Sequence, residues 1–266
     1  MTAQDYFVDD LAIEHYPAVN GGKGHPLLFI HGSYGGSWMF ENYLKYLSNG
    51  GWDSYAMNLR GHYKSKPSEL WGVTQWEYAR DVLAIVQTLP APPILIGFGM
   101  GAQLVQIAFS LKVDAVGAVF MSAKRAFFNP QEIPEHVLAM PKLVAGKPLT
   151  SASDMSPKII SKFNEHFARQ TEPLSCFLAL LNGEFKIPYL ALQAPYLVLN
   201  GERDTEITEQ DGEELAKIYA GKGTFKLIPG ASHEGILAGH EWRNAANGLN
   251  YWLQTNHYDT RPAKGT

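Results

Sequence analysis

One feature constrains this chain more than any other: short apolar runs alternate with amphipathic helical patterns from residue 26 to residue 123, and again from residue 196 to residue 253. Such alternation predicts βα units and a mostly parallel sheet, because joining parallel strands takes a crossover of roughly a dozen residues or more, usually a helix. Pro26–Ile30, Trp52–Leu59, Pro93–Gly97, Ala115–Met121, Tyr196–Asn200 and Phe225–Ile228 are the expected strands. Between them, Phe40, Tyr43, Leu44 and Leu47 share one helical face, with Gly50-Gly51 as the stop. Thr74 and Glu77 form a capping box ahead of Tyr78, Val82, Ile85 and Val86. Leu104, Ile107, Ala108 and Leu111 give the next helix, Glu213–Tyr219 another, and Trp242, Ala245, Leu249, Trp252 and Leu253 the last. From about His257 the chain reads as a loose tail.

The alternation breaks between residues 124 and 190, where no strand-like run occurs and three helical patches stand at Ile133–Ala145, Pro157–Arg169 and Leu174–Leu181. The expected organisation is therefore a core of residues 1–123 and 191–266 with a helical insertion of residues 124–190. At 266 residues and 45% hydrophobic content, one core is enough for the chain. A net charge of −4 excludes an electrostatic nucleic-acid binder. No apolar run approaches the ~18 residues of a membrane span, and no basic-then-apolar leader opens the sequence. One cysteine, Cys176, makes no internal disulfide and reads as a small buried hydrophobe. A cytoplasmic location is the expectation that follows, with the oligomeric state left open.

Ligands of open α/β sheets bind at the C-terminal ends of the strands. Four loop regions fall there: His31-Gly-Ser-Tyr-Gly-Gly36, Asn58-Leu-Arg-Gly-His62, Gly97-Phe-Gly-Met-Gly101, and the pair Gly201-Glu-Arg-Asp204 with Gly230-Ala-Ser-His-Glu-Gly235. In this order, with a helical insertion after the strand at Ala115, they resemble the α/β-hydrolase family over nearly the whole chain. The resemblance implies an oxyanion hole from the backbone N–H groups of Ser33 and Met100, an acid at Asp204, a base at His233, and a substrate-covering cap at the insertion. It also implies that His31, Gly32, Gly97 and Gly101 shape the turns, and His62 likewise. The implied ligand is a small, partly apolar ester, lactone or C–C-bond substrate, with no cofactor and no metal.

The sequence departs from the family at its centre. The elbow Gly-x-Ser-x-Gly places its serine at position 99, and here the elbow is Gly97-Phe-Gly99-Met-Gly101. Glycine relieves the strain of that turn and removes the nucleophile. Losing the nucleophile of a triad enzyme removes on the order of 10⁶ in kcat and leaves roughly 10³–10⁴ over water. Two routes remain: an inactivated hydrolase, or His233 as general base on water or substrate, giving hydrolase, lyase or isomerase chemistry without a covalent intermediate. Neither Ser33, whose place is the oxyanion turn, nor Ser37, expected to cap the following helix, suits the nucleophile's role. A non-catalytic relative that binds a small ligand or a partner is the alternative from another class. Gly97-x-Gly99-x-x-Ala102 also fits the dinucleotide fingerprint, a lesser alternative: the next strand ends in Ser122-Ala-Lys-Arg125, with no acid for a ribose but two basic residues that would suit a 2′-phosphate. Phe127, Phe128, Phe163, Phe167, Phe177 and Phe185 of the insertion are expected to pack it onto the core before lining any pocket.

Overall fold

In the computed structural model, which describes residues 3–19, 22–126, 143–149, 152–174, 176, 187–256 and 258, the expected strands form one sheet. Its strands are β1 (Gln4–Val8), β2 (Leu11–Tyr16), β3 (Lys23–Ile30), β4 (Trp52–Met57), β5 (Ile94–Phe98), β6 (Gly117–Met121), β9 (Tyr196–Gly201) and β10 (Gly223–Ile228). Their order across the sheet is β1-β2-β4-β3-β5-β6-β9-β10. From β4 to β10 every pairing is parallel, whereas β1 with β2 and β2 with β4 are antiparallel. The period of two along β3 sets the layers: Leu28 and Ile30 face one core, Leu27 and Phe29 the other.

On the first face lie α2 (Gln75–Val86), α3 (Met100–Ser110) and α5 (Glu209–Leu215), contributing Tyr78, Val82, Leu104, Ile107 and Leu215. On the second lie α1 (Glu41–Asn49), α6 (Gly235–Ala238) and α7 (Trp242–Thr255), with Tyr43, Leu44, Leu249 and Trp252 buried. The insertion adds α4 (Pro157–Phe167) to this second core through Phe163 and Phe167, whose rings pack on Trp38. The capping box of α2 forms as expected: Thr74 accepts the Trp76 N–H through its hydroxyl, and Glu77 accepts the Thr74 N–H at 2.9 Å. A cap of this kind is worth about 1 kcal/mol.

Several expectations are corrected. The insertion is not purely helical: β7 (Leu143–Ala145) pairs antiparallel with β8 (Thr171–Pro173), so Leu143–Ala145 ends the expected first helical patch as a strand. The remainder of that patch, most of the Leu174–Leu181 patch, and Phe127, Phe128, Phe177 and Phe185 lie outside the described residues. The antiparallel β1–β2 hairpin was not expected. Helix α5 starts earlier than its apolar residues suggest, because Thr208 and Asp211 form a second capping box. Ser37 lies within a 3₁₀ turn, Ser37–Phe40, and Phe40 occupies the α1 N-cap without a side-chain bond. In the expected loose tail, Tyr258 is buried and donates its hydroxyl to Val116 O at 2.7 Å. Among the described residues no helix is long and apolar enough to cross a membrane.

Candidate active site

Strand order reverses at β3 and β5: the chain leaves β3 toward β4 on one side and β5 toward β6 on the other, with α1 and α3 on opposite faces. The loops that follow the two strands therefore part at their C-terminal ends and leave a crevice, the usual ligand position in such sheets. Ile30 is paired with Gly97, so the turns after them start level.

The turn after β5 is as tight as a strand-to-helix junction allows. A Cβ at Gly97 would lie 2.5 Å from the Ala102 N, and one at Gly101 would lie 2.6 Å from His31 O, both closer than real contacts. These two glycines are thus required by packing against α3 and against the β3 turn, which also accounts for the glycine spacing without a nucleotide. Gly99 between them has φ 54° and ψ −117°, a left-handed conformation glycine adopts without strain. Its N–H donates to Met121 O at 3.0 Å and its carbonyl accepts the Ala102 N–H at 3.1 Å, which fixes the elbow at the N-terminus of α3.

Opposite Gly99 stands His233. Beyond β10 the chain turns at Gly230, φ 72°, and the His233 imidazole reaches back toward the elbow. Among the described residues, the nearest atoms a Cβ at Gly99 would meet are His233 Nε2 at 3.8 Å and Gly32 Cα at 4.0 Å. The other ring nitrogen, Nδ1, donates to Asp204 Oδ2 at 2.8 Å, which leaves Nε2 as the acceptor of the neutral ring. Asp204 comes from the turn after β9, and its Oδ1 accepts the Glu206 and Ile207 N–H groups, each at 2.9 Å. Burial opposes the Asp204 charge, but the His233 bond and charge and the two backbone N–H groups outweigh it and hold the carboxyl below its ordinary range. Burial likewise opposes the His233 charge, and the Asp204 bond and charge, with Glu234 and Glu206 adding to them, raise its pKa above 6.5. Phe98 supplies an apolar wall, its ring 5.0 Å from the imidazole.

The turn after β3 closes the third side. Gly35 N–H bonds Gly32 O at 3.2 Å, and the Ser33 hydroxyl turns onto Met100 Sδ at 3.5 Å, so the two residues expected to offer backbone N–H groups are neighbours. Neither the Ser33 nor the Met100 N–H has an acceptor among the described residues. His31 is fully buried below this turn: Nδ1 donates to Gly32 O at 2.8 Å and Nε2 accepts the Leu59 N–H at 3.0 Å. Burial, with His62 adding to it, drops its pKa to about 3, so it is a neutral brace between two loops. Cys176 is buried at 3.6 Å from Val73 O, and burial raises its thiol pKa.

Two acids without a motif in the sequence also belong to this neighbourhood, Asp154 and Glu172, both buried and both from the insertion. Two surface concavities lie elsewhere. One of about 400 Å³, between Leu83, Pro90 and Asp114, opens at the N-terminal edge of the sheet, and one of about 390 Å³ lies beside Pro67, Leu70 and Thr171. Neither reaches Gly99 or His233.

Residues 27–245 match the model of the alpha/beta hydrolase family. The chain belongs to that family. Among solved structures, a thermophilic esterase from Thermogutta terrifontis, malate bound, is similar at 18% identity and TM-score 0.72, covering 97% of this chain and 100% of its own. A monoacylglycerol lipase from Paleococcus ferrophilus is 18% identical at TM-score 0.73, covering 93% and 99%. A serine-to-glycine variant of an N-acyl homoserine lactonase, complexed with N-hexanoyl homoserine lactone, is 17% identical at TM-score 0.69, covering 98% and 100%. These likenesses establish the α/β-hydrolase fold: a mostly parallel eight-stranded sheet with helices on both faces.

Proposed function

We propose that this protein is a hydrolase whose nucleophile is water, activated by His233 and acting on a small, partly apolar ester or lactone. One observation carries the reading: His233 Nε2, with Nδ1 tied to Asp204, faces the place where the family has a nucleophile's side chain and Gly99 has none. In the step envisaged, His233 Nε2 takes a proton from the water as its oxygen bonds the carbonyl carbon. The carbonyl π pair moves onto oxygen and is held by the Ser33 and Met100 N–H groups, aided by the positive end of α3, whose first turn carries no acid. Collapse of the tetrahedral intermediate expels the alcohol oxygen, which takes the proton back from His233. No covalent enzyme intermediate forms.

The esterase, the lipase and the lactone-bound serine-to-glycine variant among the structural neighbours support the substrate class, and the Phe98 wall supports its apolar character. The insertion, residues 124–190, serves in this reading as the cap. Initial rates on short-chain p-nitrophenyl esters and N-acyl lactones test the proposal. His233→Ala is expected to lower kcat/KM by roughly 10²–10⁴, the usual contribution of a general base. Unchanged turnover in that variant would refute the assignment.

A further inference from the structure

The insertion reaches the site through two buried carboxylates, and each takes the backbone N–H of a residue adjoining a functional one. Glu172, on β8, is fully buried; its Oε1 accepts the Tyr34 N–H at 2.9 Å, next in the chain to Ser33. The same oxygen faces His62 Nε2 at 3.1 Å, and Oε2 accepts the Tyr78 hydroxyl at 3.1 Å. His62 Nδ1 donates to Arg60 O at 2.9 Å, so both ring nitrogens face oxygen acceptors and the pair is a buried, charge-assisted one. Asp154 meets the loop after β10. Its Oδ2 accepts the Ser232 N–H at 3.0 Å and its Oδ1 the Ser232 hydroxyl at 2.5 Å, one residue before His233. The Ser232 oxygen in turn accepts the Gly235 N–H at 3.2 Å.

Both contacts act on loops that would otherwise have a choice. Gly32–Gly35 is a hydrogen-bonded turn with Tyr34 at its third position and φ 60°, a conformation a tyrosine avoids. The central peptide of such a turn flips between two forms, and a buried acceptor on the Tyr34 N–H selects the one observed. At the other loop, a Cβ on Gly235 would lie 2.5 Å from Asp154 Cγ, so α6 packs against that carboxylate without space to spare. The Asp154 carbonyl also accepts the His240 N–H at 3.0 Å, anchoring the chain beyond α6.

We infer that Asp154 and Glu172 are positioning residues: the insertion clamps the Ser33 turn and the His233 loop into register with Gly99. The inference rests on the proposed site for its functional meaning, but the clamp itself is a structural claim that can be read without turnover. In the unaltered protein, hydrogen exchange measured by NMR should show the Tyr34 and Ser232 amides protected at least a thousandfold; free exchange at either amide would overturn the clamp. The side-chain test compares Asp154→Ala with Asp154→Asn, which loses the charge but keeps an acceptor for the Ser232 N–H, and Glu172→Ala with Glu172→Gln. Asp154→Ala should move the NMR titration of His233 toward its ordinary midpoint, whereas Asp154→Asn should leave it within a few tenths of a unit. Equal shifts in both would mean that Asp154 acts by charge alone and would reject a positioning role.

Activity then connects the clamp to the reaction. Each alanine variant should lower kcat at least tenfold with KM changed less than threefold, and each amide variant should restore most of the loss. A fall in KM-linked binding alone, with kcat unchanged, would contradict the inference. If the unaltered protein turns over no ester or lactone, the proposed function fails, while the exchange and titration results still decide whether the clamp exists.

Discussion

At the scale of single residues, the arrangement turns on a missing side chain. Gly99 sits at φ 54°, where a serine is strained by about 1–3 kcal/mol, but its Cβ meets no atom of the described residues nearer than 3.8 Å. Gly99→Ser should therefore fold with a modest fall in thermal midpoint, checked by calorimetry. On the proposed mechanism the pH dependence is set by His233, whose neutral form is the base. Its pKa lies above 6.5 because the charge and bond of Asp204, with Glu234 and Glu206, prevail over burial. Turnover is thus expected to rise with pH through a midpoint above 6.5, and Asp204→Asn should lower both rate and midpoint; a profile flat from about pH 5 to 8, where histidine titrates, would contradict this. That Asp204, His233 and Gly99 come together was legible in the sequence, because each sits in a small-residue turn just after an apolar run. Asp154 and Glu172 were not. Each is a lone acid in a stretch without periodic apolar residues, and only the fold brings it beneath a loop more than sixty residues away along the chain.

At the scale of elements, the elbow is a contact between three backbones. Gly97 packs on the first turn of α3 and Gly101 on the end of β3, so Gly97→Ala and Gly101→Ala must push backbone apart. Each is expected to cost about 1–3 kcal/mol or more in urea unfolding, the range for overpacking. A loss under half of that would mean the turn yields more readily than its contacts suggest. Strands β5, β6 and β9, and the Leu27–Ile30 end of β3, were readable because both of their faces are buried and their residues are almost all apolar. The β1–β2 hairpin escaped because its outer strand, Gln4–Val8, is largely exposed and has no continuous apolar run. The β7–β8 pair escaped for a related reason: two three-residue strands, one with exposed Leu143 and Ala145, leave too short a pattern for a period of two to register.

At the scale of the whole molecule, loops from four strands converge on one crevice, and the stability of that assembly carries its own pH signature. His31 is neutral in the fold, with a pKa near 3, but titrates near 6.5 in the unfolded chain. Its contribution is complete above pH 6.5 and is lost as pH falls toward 3, at about 1.4 kcal/mol per pH unit, because only the unfolded chain takes up the proton. His233 acts in the opposite sense: its raised pKa adds stability below 6.5 that disappears as pH rises through the folded value. Urea unfolding across this range should show a steeper acid limb in the unaltered protein than in His31→Gln; equal slopes would place the acid sensitivity elsewhere. Whether His233, Asp204 and the Ser33 and Met100 N–H groups form a working site around an absent nucleophile is decided by treating the unaltered protein and Gly99→Ser with a fluorophosphonate and weighing both by intact-protein mass spectrometry. A single phosphonyl adduct is expected on Gly99→Ser, at position 99, lost on further substitution of His233→Ala, with the unaltered protein unlabelled. A folded Gly99→Ser protein that takes no label would contradict such a site.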